Sequence, residues 1–282
     1  DYSVPLVDEI GTVLSFETQE APSTSTISTL VHYDFEQTGS TLDNTGSGGS
    51  TYDGTNNGAT TGGTGKLGSS WEFDGSNDYV DADSIASTLQ NSVGSITFWV
   101  KNDNTSQDNT IMAFGDEDVN EGLAFRADTG HFFSNLRYAS GGQWEHKVTN
   151  GLSDTAWHHV AVVQDGVAVK IFFDGVEDGT FVDTSNMQDW VTSNMDKFTI
   201  GANNKGGYGY YDHGEVSIDQ VLVFNTAISS DTVSNIYNSG NGLSPLIVST
   251  PSPTKTTAFE IEPTKMRIVD IEPASTTTTV SA

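Results

Sequence analysis

Cysteine is absent from this chain of 282 residues. No disulfide framework can hold it, but a domain of this length buries enough apolar surface to do without one. The absence therefore does not place the protein inside a cell. Basic residues are scarce: 11 Lys and Arg stand against 38 Asp and Glu, a formal net charge of −27. Such a surface repels nucleic-acid phosphates and anionic membranes and disfavours both as partners. No segment approaches the roughly 20 apolar residues of a membrane helix, which argues against membrane insertion. Helical patterning is confined to one short stretch, Ser229–Tyr237. A Gly-x-Ser-x-Gly elbow, which would expose a serine nucleophile on a strand-to-helix turn, is missing. The chain also begins at Asp1 rather than Met, which reads as a processed or a trimmed end.

What is present is the material of strands and turns. There are 29 glycines, abundant Ser, Thr, Asn and Asp, and apolar runs that rarely exceed eight residues. The strongest local signal is Trp157–Phe181, where Val160–Val163 and Val167–Phe173 flank Gln164-Asp165-Gly166. Asp-Gly between apolar runs marks a hairpin, because the turn that matches strand twist needs positive φ at its centre. A second Asp-Gly, Asp174-Gly175, ends the return strand. Val167, Val169, Ile171 and Phe173 share one face of that strand, and Ala168, Lys170 and Phe172 the other. The pattern predicts a strand pair in the middle of a packed sheet.

Taken in order, residues 1–29 open with Val4, Leu6, Ile10, Val13 and Phe16 and then turn into a Pro/Ser/Thr linker. Leu30–Glu36 is a strand. Gln37–Gly65 is long, polar and glycine-rich, and reads as a surface loop that is uncommon unless functional or tied down. Strands follow at short, regular spacing: Trp71–Val80 around a turn, Gly94–Lys101, Thr110–Phe114, Leu123–Ala127, His131–Arg137, Trp144–Val148, Lys197–Ile200 and Glu215–Phe224. Beyond Gly240 a second Pro/Ser/Thr linker leads to two related units, Glu260–Thr264 and Asp270–Ala274. Between them, Met266, Ile268 and Val269 are apolar enough for a strand.

Five motifs in the right order carry a family resemblance: LVHYDFE, SSWEFDGSNDYVD, SITFWVK, WHHVAVVQDGVAVKIFFDG and HGEVSIDQVLVFNTAISSDTVSNIY. Through them about residues 30–240 resemble the laminin-G and pentraxin-like branch of the concanavalin A-type jelly rolls. The resemblance implies an all-β, antiparallel two-sheet jelly-roll β-sandwich. Residues 1–29 and 241–282 lie outside it as extended N- and C-terminal arms. The fold hosts lectins, adhesion modules, glycanases and structural parts alike, so function must come from the site.

Retaining glycanases on related sandwiches set two carboxylates roughly 5 Å apart on one strand face. Asp116-Glu117-Asp118 sits in a turn, with successive side chains pointing apart. Glu215 and Asp219 share a strand, but Asp219 matches a position that recurs in non-catalytic relatives. The expectation is a protein that is not an enzyme. Calcium is the expected cofactor, since hard cations want several oxygen ligands and the chain is rich in them. Gln107-Asp108-Asn109 before TIMAF resembles the pentraxin segment that supplies two calcium ligands. Its partner segment corresponds to Asn203-Asn204-Lys205, with a lysine where that family brings acids. A second candidate cluster is Asp43, Asp53 and Asp219. Turn-forming Asp and Asn that bond their own backbone explain each group equally well.

Glycan binding needs exposed aromatic platforms beside hydrogen-bonding groups. Gly206-Gly207-Tyr208-Gly209-Tyr210-Tyr211-Asp212-His213 offers Tyr208, Tyr210 and Tyr211, with Trp144 as a neighbour. Two functions from different classes follow. In the first, a non-catalytic structural or adhesion subunit of an extracellular, cell-surface or viral assembly is tethered to neighbouring protein subunits through its arms. In the second, a calcium-assisted module binds surface glycans. The acidic surface suits a salty, marine setting, where the screening length falls from about 10 Å at 0.1 M to about 3 Å at 1 M.

Overall fold

The computed structural model describes residues 28–90, 93–128, 131–137, 143–147, 151–182, 195–204 and 207–242, together with strands Leu14–Thr18, Ser23–Ser25, Val248–Thr250, Lys255–Glu262 and Lys265–Asp270. The chain divides into two compact units, Thr26–Val248 and the paired ends Asp1–Ser25 with Ser249–Ala282.

The larger unit is a sandwich of two antiparallel sheets. One sheet runs, in spatial order, Val176–Val182, Ala168–Phe173, Trp157–Asp165, Val93–Asn102, Glu215–Phe224, Ser69–Asp74 and Thr60–Thr64, and Val31–Tyr33 pairs with the upper half of Glu215–Phe224. The other runs Gln143–Lys147, His131–Arg137, Gly122–Asp128, Asn109–Gly115, Lys197–Ile200, Tyr79–Asp81, Gly54–Asn57 and Thr41–Leu42. The expected all-β jelly roll is the observed fold.

Alternation along the strands decides what lies between the sheets. Phe98, Val100, Val160, Val162, Ile171, Trp71 and Ile218 from the first sheet meet Phe114, Phe125, Phe132, Phe198 and Ile200 from the second in one cluster. Each such buried side chain contributes about 1.5–3 kcal/mol. The intervening residues of the first sheet face outward. Ala161, Val163 and Phe172 there are covered by Val233 of the helix Ser230–Tyr237. Ser229 caps that helix by accepting a hydrogen bond from Thr232 N. The predicted hairpin is present, with Asp165 Oδ1 accepting from Val167 N and Ala168 N across its turn. Val169, Ile171 and Phe173 point into the core as expected, whereas Val167 stands 72% exposed in the turn. A six-residue helix, Ser84–Leu89, was not anticipated; it buries Ile85, Ala86 and Leu89.

The stretch 37–65 is not a surface loop. It supplies Thr41–Leu42, Gly54–Asn57 and Thr60–Thr64, which are outer strands of both sheets. Apolar alternation is missing there because edge strands are held by main-chain pairing and by polar side chains. Asn44 accepts from His32 N and Gly46 N and donates to the carbonyls of Leu30 and Gly49.

In the smaller unit the two arms pair with one another. Leu14–Thr18, Lys255–Glu262 and Lys265–Asp270 form a three-stranded antiparallel sheet, with Leu14 opposite Phe259 and Phe259 opposite Ile268. Ser23–Ser25 pairs with Val248–Thr250. Leu14–Thr18 thus takes its partner from the other end of the chain. Val4, Leu6 and the unit at Asp270–Ala274 past its first residue lie outside the described residues.

Candidate functional site

The outer face of the second sheet carries a short hairpin in which Asn203-Asn204 pairs with Tyr210-Tyr211. Val80 and Ile200 point to the core, so their neighbours Asp81 and Thr199 point away from it. The Tyr210 hydroxyl donates to Asp81 Oδ2 at 2.9 Å, and the Tyr210 ring stacks on Tyr79 with centroids 3.6 Å apart. Partial burial, with Asp81 alongside, pushes the Tyr210 hydroxyl pKa well up, so it stays protonated and donating. Phe125 and Ala127 likewise face inward and leave Arg126 on the outer face, where its Nη1 lies 3.3 Å from Asp212 Oδ2. His213 Nδ1 is 3.2 Å from the Asp78 carbonyl oxygen. The hairpin is thereby fixed at several points.

Tyr208 is treated differently. It sits between Gly207 and Gly209, both at positive φ (66° and 70°), and is 73% exposed. Glycine reaches this region without the Cβ clash that other residues meet, so the chain can lift the ring clear of the sheet. Tyr211 meets it edge to face, with centroids 6.2 Å apart. Of the aromatics proposed from sequence, Tyr208, Tyr210 and Tyr211 come together. Trp144 is opposite Leu136, in a row that begins with the core residues Phe114 and Leu123; its side chain lies outside the described residues.

The first sheet also has an open strip beyond the helix, which sequence reasoning missed. Cross-strand register lines up Thr60, Glu72, Ser217, Lys101 and Trp157. A cleft of about 330 Å³ lies over it, lined by Thr60, Glu72, Phe73, Asp74, Lys101, Asp103 and Glu215. Its charges are largely answered from within. Lys101 Nζ is 2.9 Å from Asp103 Oδ1, the Ser217 hydroxyl donates to Asp103 Oδ2, and Asn104 Nδ2 donates to Glu215 Oε2. The register signal was available only once the strands were paired.

Glu215 lines this cleft and Asp219 does not. A bulge follows Asp219, with Gln220 at φ 50°, and Asp219 is fully buried. Its Oδ2 accepts from Leu67 N at 2.8 Å, while Oδ1 has no hydrogen-bond partner. Burial raises its pKa to about 7, against the opposing pull of the Leu67, Gln220 and Lys66 amides. Asp116 forms the turn that its sequence suggests, with Oδ1 accepting from Asp118 N and Val119 N.

The remaining calcium candidates lie on several elements. Asn109 is buried; its Oδ1 accepts from Glu215 N and Gln107 Nε2, and its Nδ2 donates to Asn102 Oδ1 and the Asn104 carbonyl. Asp108 precedes it, outside any strand. Asn203 is buried in the hairpin, Asp43 is exposed, and Asp53 accepts from Asn44 N. Among the described residues no three His, Asp or Glu side chains gather as a metal-holding group.

A sequence profile described as the concanavalin A-like lectin/glucanases superfamily matches residues 74–234. The chain belongs to this superfamily. Comparison with curated proteins finds no match. Solved structures are similar to the superfamily domain seen here. Domain 4 of AbnA, a GH43 extracellular arabinanase from Geobacillus stearothermophilus in complex with arabinotriose, aligns over 74% of this chain and 98% of that domain, at 22% identity and a TM-score of 0.56. The binding domain of botulinum neurotoxin serotype D/C VPI 5993 aligns over 75% of this chain and 52% of its own, at 12% identity and a TM-score of 0.57. NanB sialidase from Streptococcus pneumoniae aligns over 59% and 27%, at 17% identity and a TM-score of 0.50. The chain thus spans almost all of the arabinanase domain, about half of the toxin domain and about a quarter of the sialidase. At these identities the likeness is one of fold.

Proposed function

We propose that the sandwich is a non-catalytic carbohydrate-binding module of an extracellular protein. The observation that carries this reading is Tyr208, an exposed ring held on a hairpin whose Tyr210 is braced by Asp81 and Tyr79. Sugar rings present C–H faces that pack on such platforms, and the surrounding carboxylate and hydroxyl groups can accept and donate hydrogen bonds to sugar hydroxyls. The arabinanase domain, solved with an arabinose oligomer, supports the class of ligand by analogy of fold. The closing of Asp219 beneath the Lys66–Leu67 segment supports the non-catalytic part, because it removes one of the two acids that the sequence offered as a pair.

Affinity electrophoresis in soluble polysaccharides, arabinan among them, tests the reading. Retention is expected to fall roughly tenfold on Tyr208→Ala, the equivalent of about 1.4 kcal/mol of stacking. The polysaccharides should be recovered uncleaved. No retention on any of them, or retention indifferent to Tyr208→Ala, would refute the platform.

A second reading, in which the ends tether the sandwich to neighbouring subunits at a cell or virion surface, draws support from the arms pairing into a sheet of their own. Calcium belongs to either reading. Its best-supported place is Asp219, where a buried carboxylate oxygen lacks a partner and where Glu36 lies near enough to raise the Asp219 pKa further.

A further inference from the structure

We propose that the cleft on the outer face of the first sheet is a binding site for unacetylated amino sugars, separate from the tyrosine hairpin. Acids on a strand face would by themselves make a solvated surface. Here they line a recess of about 330 Å³, a volume at the lower end of what small-ligand pockets have. Trp71 and Phe73 face the core, so Glu72 and Asp74 point outward into the cleft, and Val216 and Ile218 send Glu215 and Ser217 the same way. Asp74 lies directly opposite Glu215 on the neighbouring strand, a position in which like charges repel. Lys101, the one base among the lining residues, is already engaged 2.9 Å from Asp103. Glu215 is held in place from behind, with buried Asn109 accepting from its amide and Asn104 Nδ2 donating to Oε2. Glu72 is exposed and makes no hydrogen bond or ion pair among the described residues.

What the internal bonds leave over is therefore a surplus of acceptors and of negative charge on positioned side chains. An ammonium group answers both. It has three donors and no acceptor, and each bond it makes to a carboxylate is charge-assisted. Trp157 turns the preference toward a cation that carries a ring. It is half-buried and stands directly opposite Lys101, in step with Ala161 and Val163 on the outer face. Its indole meets no other aromatic ring among the described residues. The C–H face of a sugar can pack on the indole while the amine of the same chain enters the cleft. A linear polyamine would use the carboxylates and leave the indole idle. N-acetylation removes the charge that the cleft selects.

The test measures binding of glucosamine oligomers, and of N-acetylglucosamine oligomers of equal length, to the whole chain at a mildly acidic pH where the amines are protonated. The unmodified protein is expected to hold the charged series about tenfold tighter or more, with the preference fading at high salt. Glu72→Gln changes a side chain with no internal partner and should weaken binding of the charged series about tenfold, which Glu72→Asp restores in part. Trp157→Ala should weaken it severalfold. Asp231→Asn, which removes an equal charge from the exposed first turn of the helix, is expected to leave it unchanged. Circular dichroism and melting establish that each variant is folded. Equal losses in Glu72→Gln and Asp231→Asn would reveal general attraction of a cation to an acidic protein and overturn the site. Equal binding of the two series, or indifference to Trp157→Ala, would overturn the assignment to amino sugars. Tyr208→Ala should bind glucosamine oligomers as the parent does. If it abolishes that binding, the ligand sits on the hairpin, and this inference fails while the platform stands. Binding of neither series would overturn the inference and leave the hairpin reading untouched.

Discussion

His158 and His159 are neighbours on one strand, and alternation sends them to opposite fates. His158 lies between two acids, with Nδ1 2.8 Å from Asp174 Oδ2 and Nε2 3.0 Å from Asp154 Oδ1. The hydrogen bond to Asp174, then that to Asp154, raises its pKa above the ordinary 6.5 in spite of partial burial. His159 is fully buried between Trp99 and Tyr237, and burial drives its pKa down to about 3. The two give opposite slopes of stability with pH. The folded pKa of His158 exceeds its unfolded value. Its contribution is complete below about pH 6.5 and is lost as pH rises through the folded value. The folded pKa of His159 is depressed, so its contribution is present above about 6.5 and lost as pH falls toward about 3. His158 therefore lowers the melting temperature as pH rises above about 6.5, and Asp219, raised to about 7, adds a loss of its own up to that pH. His158→Gln should lessen the decline above about pH 7, where Asp219 is already largely ionised. An unchanged alkaline decline in that variant would mean that the two carboxylates do not hold the imidazolium.

At the scale of elements, the turn Asp174-Gly175 joins Ala168–Phe173 to Val176–Val182 with φ of 48° and 78° at its two residues. Both values are positive, as the tight hairpin turn requires. The same turn serves the packing of the helix: a Cβ on Gly175 would come within 2.6 Å of the Tyr237 ring. Gly175→Ala therefore faces a backbone penalty and a collision in the layer that covers the first sheet. A loss of about 1–3 kcal/mol is expected, read as a lower denaturant midpoint with the slope unchanged. Stability within a few tenths of the parent would show that the helix end yields freely.

For the whole molecule, the division into a sandwich and a separately paired set of ends predicts that residues 26–248 fold alone. The trimmed protein should unfold cooperatively, with glycan retention preserved and any attachment through the ends lost. The same preparation tests calcium. A cation that binds only the folded state at a hundredfold its dissociation constant adds about 2.7 kcal/mol. Melting curves with calcium and with chelator at equal ionic strength should separate, and Asp219→Asn should close the gap. Curves that coincide in the parent protein would leave Asp219 as a structural clamp on the 65–68 segment and nothing more.

The alternation of Val160–Val163, the Asp-Gly turns, the capped segment Ser229–Tyr237 and the order of five motifs were enough to determine an all-β jelly roll. Those signals are local, and a strand of period two carries its own instruction about which side is buried. The glycine-rich stretch 37–65 gave no such instruction, because edge strands owe their pairing to main-chain hydrogen bonds that side-chain pattern does not encode. Tyr208, Tyr210 and Tyr211 could be named from sequence, but which of Tyr208 and Tyr210 stands free could not. Only tertiary structure stacked Tyr210 on Tyr79, set Asp212 against Arg126 and left Tyr208 in solvent. Asp219 could be named from sequence as a candidate acid and calcium ligand, but its burial beneath the 65–68 segment could not. The two arms, more than two hundred residues apart in the chain, became one sheet. Each of these depends on residues distant in sequence meeting in space, and the free energy of such contacts is a property of the folded arrangement rather than of any segment alone.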